Sequence, residues 1–348
     1  MDATTVAVDL AKNVFEVVMA NRDGRIVARH RLTRARFRAC LETLPPTRLV
    51  MEACATAHHW GRVAQQHGHE VVLLPAAYVR PYVRRNKTDR TDAEALLEAL
   101  RSGQLPPVPV KRVEQQALVA LHRVRAQWMA TRTARINALR GLLGEYGVVL
   151  PARTTAALTA APTILADAAL PIHLRQVLTE LHEEIRALEA HLRAVDQHLR
   201  GLAAADAMVQ RLRTIPGVGL LTATALVGSV GNIHAFRRGR QFASWLGLTP
   251  SEYSSGARRQ LGGITKRGDR YLRCLLTHGA RAVLVAARRE PHDRPSTRLP
   301  QWARDVQQRR GHNKATIAVA NKLGRLVWAV WTKDQDFRAT PPRIATAA

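Results

Sequence analysis

The sequence predicts an α/β domain built on a mixed sheet, followed by an all-α remainder. Three observations carry this reading. Valine-rich apolar runs near the start are separated by the turn signal Asn21-Arg22-Asp23-Gly24. Strand-like and helix-like stretches then alternate as far as Gly103. Beyond Val113 the apolar periodicity is helical, with one long heptad seam.

Thr5–Asp9, Val14–Ala20 and Arg25–Leu32 read as three strands of a meander. A helix over Arg34–Leu44 follows, then the strand "RLVMEA", a helix over His58–His67 and the strand "EVVLLP". The stretch "DRTDAEALLEALRSG" has helical periodicity, is opened by Thr88 or Asp89 as cap, and is closed by Gly103. Antiparallel strands followed by alternating helices and strands predict a mixed sheet. Val113–Tyr146 reads as one long helix, and "LPARTTAALTAAPT" as a linker or short helices. Leu174, Leu178, Leu181, Ile185, Leu188, Leu192, Val195, Leu199 and Leu202 alternate spacings of four and three, the seam of a coiled coil. Its partner is either the helix ending near Tyr146 or a second copy of the protein, with self-association the preferred expectation. From Ala204 the chain reads as helical and basic with glycine-rich turns, and the tail "RATPPRIATAA" as disordered. The expected domains are 1–150, a linker and coiled coil over 151–205, and a C-terminal domain over 206–348.

The 348 residues suffice for two or three domains, and a hydrophobic content of 46% is that of a globular chain. With 53 Lys and Arg against 27 Asp and Glu, the formal charge is +26. A protein handling only small neutral metabolites has no physical reason to keep such an imbalance. It implies a polyanionic partner, nucleic acid first and an anionic membrane surface second. Arginine dominates the positive charge and suits bidentate phosphate contact. No charge-free apolar run of membrane-spanning length occurs and "MDATTVAVDL" does not resemble a secretory signal, so a soluble intracellular chain is expected. Cys40, Cys54 and Cys274 form no C-x-x-C pair and read as buried small hydrophobes.

Asp9 ends the apolar strand "TVAVD", where a carboxylate is costly unless it faces a cation, and Glu52 ends "RLVME" in the same way. Asp89 and Asp92 lie three apart at a helix start, so both can point from one face. Four such acids can converge on a divalent-metal site of oxygen ligands. Paired metals of that kind activate an attacking oxygen and stabilise a leaving oxygen at phosphorus. Taken singly, each acid is as well explained by a turn or a helix cap. Their order, strand Asp, strand Glu, then an Asp pair on a later helix after a meander, resembles the ribonuclease-H-like fold of the RuvC type. Members of that fold cut nucleic acid with metal held by such acids.

In "LRTIPGVGLLTATALVG" the turn Pro216-Gly217-Val218-Gly219 has the form of a helix-hairpin-helix, in which Gly217, Gly219 and the following amides can hold a phosphate. A hairpin that merely packs has the same pattern. "SEYSSGARRQ" sets Ser254 and Ser255 before a glycine and beside Arg258 and Arg259. Lys266, Arg267, Arg270 and Arg273 then cluster around glycines that allow close backbone approach. That cluster reads either as a DNA-binding face or as a solvated basic one. His58-His59 lacks further ligands at metal spacing and reads as an exposed helix start. Neither a P-loop nor a dinucleotide fingerprint is present.

Taken together, "VAVDLAKNVFEV", "MEACATAHHW", "NKTDRTDAEAL", "IPGVGLLTA", "FASWLGLTPSEYSSGARRQLGGITKRGDRYLR" and "GHNKATIAVANKLGRLVWAVW" resemble the DEDD transposases of the insertion sequence 110 family, near the insertion sequence 1111 branch. The resemblance covers nearly the whole chain in order. It implies a RuvC-like N-terminal domain, a coiled-coil segment and a C-terminal transposase domain with a catalytic serine. Asp9, Glu52, Asp89 and Asp92 match the family's four acids, expected to bind Mg²⁺ or Mn²⁺, and Ser255 matches the serine that precedes its glycine. The expected partners are donor and target DNA, a structured non-coding bridge RNA and further copies of the chain, as a dimer and as a tetramer on DNA, with no membrane. The expected place is the prokaryotic cytoplasm, with the nucleoid. The rival readings are a Holliday-junction-type metal-dependent endonuclease, in which the acids activate water, and a non-catalytic nucleic-acid scaffold.

Overall fold

The computed structural model describes residues 4–83, 89–103, 105–166, 169–289 and 298–339. They fall into two compact units, Met1–Gln116 with Val230–Ala235, and Ala117–Ser229 with Phe236–Ala348.

The first unit opens with the expected meander, β1 (Thr5–Leu10), β2 (Val14–Ala20) and β3 (Ile26–Thr33). Gly24 takes φ +75° in the β2–β3 turn, and the Arg25 N–H donates to Asn21 Oδ1 at 2.9 Å. Thr33 then accepts from the Arg36 N–H and caps α1 (Arg34–Thr43). β4 (Arg48–Glu52), α2 (Ala57–Gln66), β5 (Glu70–Leu74), α3 (Ala76–Val79) and α4 (Asp89–Arg101) follow. Thr88, one of the two expected caps of α4, lies outside the described residues. The sheet order is β3-β2-β1-β4-β5, antiparallel within the meander and parallel from β1 through β4 to β5. The parallel pairs need crossovers, which α1 and α2 supply.

Period-two alternation sorts the strands onto two faces. Val6, Val8, Phe15, Val17, Leu49 and Met51 face α1 and α2, while Ala7, Val18, Val50 and Leu74 face Ala93, Leu96 and Leu97 of α4. Phe15, Phe37 and Trp60 meet edge to face with centroids 5.1–5.2 Å apart. Gly231, with φ +71°, sits against Pro109 and adds the 230–235 segment to this unit.

The second unit contains α5 (Val113–Gly144), α6 (Thr154–Leu165), α7 (Ile172–Ala205), α8 (Ala207–Arg213) and α9 (Leu220–Val230), of which α5 starts four residues before the unit does. The division at Gln116 separates most of α5 from the N-terminal unit, whereas the sequence reading kept the whole of it there. The reason is side-chain pairing with α7: Arg125–Asp196 at 2.6 Å, Trp128 stacked on His191 at 4.9 Å, Arg132–Glu189 at 3.4 Å and Arg135–Glu184 at 2.7 Å. Numbers rise on α5 as they fall on α7, so the helices run antiparallel. The seam residues Leu178, Ile185, Leu188, Leu192, Val195 and Leu199 are buried within one chain.

Of the two readings of this stretch, a linker or short helices, α6 is the second. Pro162 removes the N–H that Leu158 C=O would accept in a helix, and His182 Nε2 on α7 lies 3.2 Å from that oxygen. His122 on α5 is buried, with Tyr271 Oη 3.0 Å from Nδ1 and Thr224 Oγ1 2.9 Å from Nε2.

α10 (Gly239–Trp245) leads to a short hairpin, β6 (Pro250–Glu252) and β7 (Leu261–Ile264), then α11 (Arg270–Arg289), α12 (Arg298–Arg310) and α13 (His312–Lys333). The hairpin stands where the sequence reading saw only helices and turns. Cysteine burial is also corrected: Cys40 and Cys54 are half-buried, whereas Cys274 is exposed, because the buried stripe of α11 runs through Leu272 and Leu276. Among the described residues no helix is long and apolar enough to cross a membrane.

Candidate catalytic site

Asp9 and Glu52 lie on the α4 face of the sheet, and Asp92 on the first turn of the helix that covers it. Val8 pairs with Met51 in the parallel register, so Asp9 and Glu52 stand side by side one residue further on. Alternation gives them the face of Ala7 and Val50, the face that α4 covers. Asp92 lies in the first turn of α4, one residue before Ala93, which is buried against that face. Asp9, Glu52 and Asp92 are all half-buried. Asp89 is the first residue of α4, and its side chain lies outside the described residues.

The donor chemistry suits a hard divalent cation, since every group is a carboxylate. Among the described residues, however, no three His, Cys, Asp or Glu side chains are close enough to share a metal. The register also adds an acid that the sequence reading missed, since Glu16 on β2 lies directly opposite Asp9 and is paired with Arg31 at 3.3 Å. The spacing of the meander strands was the available signal.

The two serines sit in different settings. Ser254 Oγ donates to Glu252 Oε1 at 2.7 Å and accepts from the Gln260 N–H at 3.2 Å. Arg259 Nε also donates to Glu252 Oε1, at 3.2 Å. These contacts, the Ser254 hydrogen bond first, hold the Glu252 carboxyl below its ordinary pKa. Glu252 was not anticipated, although its two-residue spacing from Ser254 on a strand end is a signal for shared orientation.

Ser255 and Arg258 exchange backbone hydrogen bonds of 3.3 and 3.1 Å, closing a two-residue loop over Gly256 and Ala257. Gly256 takes φ +53°, the left-handed conformation favoured by glycine at the first loop position. Ser255 is thereby exposed at the hairpin tip, with no side-chain hydrogen bond among the described residues. Arg258 is exposed beside it.

Lys266, Arg267 and Arg270 are exposed, with Lys266 in a left-handed conformation at φ +55°. Arg273 is placed differently from the other three. Its Nη1 donates to Leu246 C=O at 3.2 Å and Gly268 C=O at 3.1 Å, tying the end of α10 to the loop before α11. Gly217 likewise has a packing role: a Cβ there would lie 2.7 Å from the Gly279 carbonyl oxygen on α11. Gly219 is exposed, with open space around it. His58, read as exposed, is half-buried and accepts the Lys111 N–H at 3.2 Å.

Known proteins match this architecture. Residues 6–148 match a family model of the DEDD type described as "Transposase", and residues 209–295 match one described as "Transposase IS116/IS110/IS902 family". A probable family 20 transposase of Pseudomonas aeruginosa is 40% identical over 97% of this chain and 99% of its own length. The transposase for insertion sequence element IS1111A of Coxiella burnetii is 37% identical, over 97% of this chain and 92% of its own. The transposase for insertion sequence element IS1328 of Yersinia enterocolitica is 35% identical, over 97% and 99%. A DEDD transposase domain points to dependence on a divalent metal, of the kind that the carboxylates on the α4 face are chemically suited to hold. With both domain types present in order and full-length relatives at this identity, the chain belongs to the IS110 family of insertion-sequence transposases, enzymes that recombine DNA.

Proposed function

We propose that this transposase cuts and rejoins DNA with Ser255 as nucleophile, and that Asp9, Glu52, Asp89 and Asp92 hold Mg²⁺ or Mn²⁺ for the reaction. The observation that carries this reading is the contrast between the serines. Ser254 is held by Glu252 and Gln260, while Ser255 presents an unengaged hydroxyl at a turn shaped by Gly256. The sheet order and the position of the acids support a RuvC-like first domain.

In the reaction, Ser255 Oγ bonds to phosphorus while the P–O3′ bond breaks. Serine loses its proton, the 3′ oxygen takes one up and leaves as a hydroxyl, and the 5′ phosphate stays on the protein. Attack by the 3′ hydroxyl of another strand reverses these changes, rejoins DNA and restores serine. A serine hydroxyl is a weak nucleophile until activated. The divalent cation supplies positive charge against the negative charge that grows on the phosphoryl oxygens. Arg258 and Arg259 clamp the phosphate, and Lys266, Arg267, Arg270 and the amides after Gly219 contact neighbouring phosphates. A structured bridge RNA guides the choice of DNA, and the working form is a homo-oligomer, a tetramer on DNA. The charge of +26 supports two nucleic acids bound at once.

The test is incubation with Mg²⁺, the element's flanking RNA and a labelled donor duplex, read on a denaturing gel. A covalent protein–DNA band is expected, absent for Ser255→Ala and Asp9→Asn and kept for Ser254→Ala. Cleavage without a covalent band, still dependent on Asp9, would establish hydrolysis by a Holliday-junction-type endonuclease in place of serine chemistry.

A further inference from the structure

The second unit carries a basic cleft away from the serine turn. It measures about 400 Å³ and is lined by Arg238 and Arg240 at the start of α10 and by Lys322, Arg325 and Trp328 on α13. We infer that this cleft binds the phosphodiester backbone of the duplex DNA on which the transposase acts.

Four cations share one opening, and among the described residues none of their side chains forms an ion pair or a hydrogen bond. Structural arginines elsewhere in the unit are paired, as Arg125, Arg132 and Arg135 are with acids of α7. Grouped like charges without a counter-charge raise the local potential and favour a polyanion. Arg238, Arg240 and Arg325 are exposed, and Lys322 is half-buried with its Nζ 5.5 Å from the Trp302 ring centroid.

The cleft is built rather than accidental. A Cβ at Gly239 would lie 3.3 Å from Trp328 Cε3 and 3.4 Å from the Arg325 Cα, so glycine lets α10 and α13 close up. Trp328 Nε1 donates to Phe236 C=O at 2.8 Å and fixes one wall. The same two helices hold the root of the serine hairpin. Asn321 Nδ2 on α13 donates to Leu248 C=O at 3.2 Å, and Gly247 C=O after α10 accepts the Lys266 N–H at 3.2 Å. DNA gripped here is therefore registered against the frame that carries Ser255. Duplex DNA is the occupant because the family recombines DNA.

This inference rests on the DNA substrate of the family and not on serine chemistry. Binding of a labelled duplex by the full chain is measured by anisotropy across a salt series, without Mg²⁺ so that no bond breaks. The variant R238Q/R240Q/R325Q should bind at least about tenfold more weakly at moderate salt, and its slope of log K against log salt should shrink by about 0.9 per lost phosphate contact. If the triple variant does not melt like the parent, Arg240→Gln alone should reduce the slope by about 0.9. Unchanged affinity and slope in a folded variant would overturn the inference. Loss of binding to a structured RNA with duplex binding intact would overturn the DNA assignment. Failure of the Ser255→Ala gel test would leave this measurement unaffected, so the two readings fail separately.

Discussion

Gly217 and Gly279 meet backbone to backbone, so closely that a Cβ on Gly279 would lie 2.0 Å from the Gly217 carbonyl oxygen. The glycine turn between α8 and α9 is thus locked onto α11. Neither atom of this contact can move without displacing a helix. Gly279→Ala should lower the stability of the chain by about 3 kcal/mol or more, read as a lower midpoint in thermal or urea unfolding. An unchanged midpoint would mean that the contact is not needed for packing.

Gly256 is the residue that sets the geometry of Ser255. Around it the structure has open space, so a substitution there meets backbone strain and no clash. A non-glycine residue at its φ costs about 1 kcal/mol, and asparagine less than a β-branched side chain. The expected order of recombination rates is glycine, then asparagine, then valine, with valine down about tenfold to a hundredfold because a misplaced nucleophile loses alignment. Equal rates for glycine and valine would detach the serine's role from the turn.

His122 links pH to stability. Thr224 Oγ1 donates to Leu220 C=O at 2.8 Å, so it accepts from His122 Nε2–H, and Nδ1 accepts from Tyr271. Burial first, then the nearby Arg125, pushes the imidazole pKa down from 6.5 to about 4. Between those values the unfolded chain binds more protons than the folded one. This stability is therefore complete above pH 6.5 and lost as pH falls toward 4, amounting to roughly 3 kcal/mol. Melting curves from pH 7.5 down to 4.5 should show a drop in the parent that His122→Gln flattens. Parallel curves for the two proteins would remove His122 as the cause.

His182 and Pro162 form a compensating pair. His182→Leu should cost about 1–3 kcal/mol by leaving the Leu158 carbonyl without its donor. Pro162→Ala restores a backbone N–H in the same place, so His182→Leu should cost much less in the Pro162→Ala background. A double-mutant cycle in urea measures this coupling, and strict additivity would refute it.

The same pair shows where sequence reasoning ran out. The stretch that holds Pro162 reads equally as a linker or as short helices, and the histidine that meets the Leu158 carbonyl comes from another helix, placed there by tertiary packing. By contrast the meander and α4 were legible, because β1 and β2 alternate buried faces with period two and α4 keeps a stripe through Ala93, Leu96 and Leu97. The convergence of Asp9 and Glu52 follows from that pattern once the strands are parallel. The β6–β7 hairpin was not legible, since its strands span Pro250–Glu252 and Leu261–Ile264, too short for a periodicity and rich in glycine and proline. Composition grouped Arg273 with Lys266, Arg267 and Arg270 as either a DNA-binding or a solvated basic face, but which arginine bonds to carbonyls is set by the helix that carries it. A second copy of the chain was the preferred partner for the α7 seam, but within the chain α7 pairs with α5 through contacts from Arg125–Asp196 to Arg135–Glu184.

The segment Val230–Ala235 belongs to the first unit although more than a hundred residues separate it from Gln116. Neither unit is therefore a single continuous stretch of chain. A cassette ending at Gln116 would leave Pro109 without the Gly231 that covers it. Any graft of the acid-bearing domain into another recombinase has to carry a six-residue strip encoded far downstream, and inheritance of this protein in halves is correspondingly disfavoured.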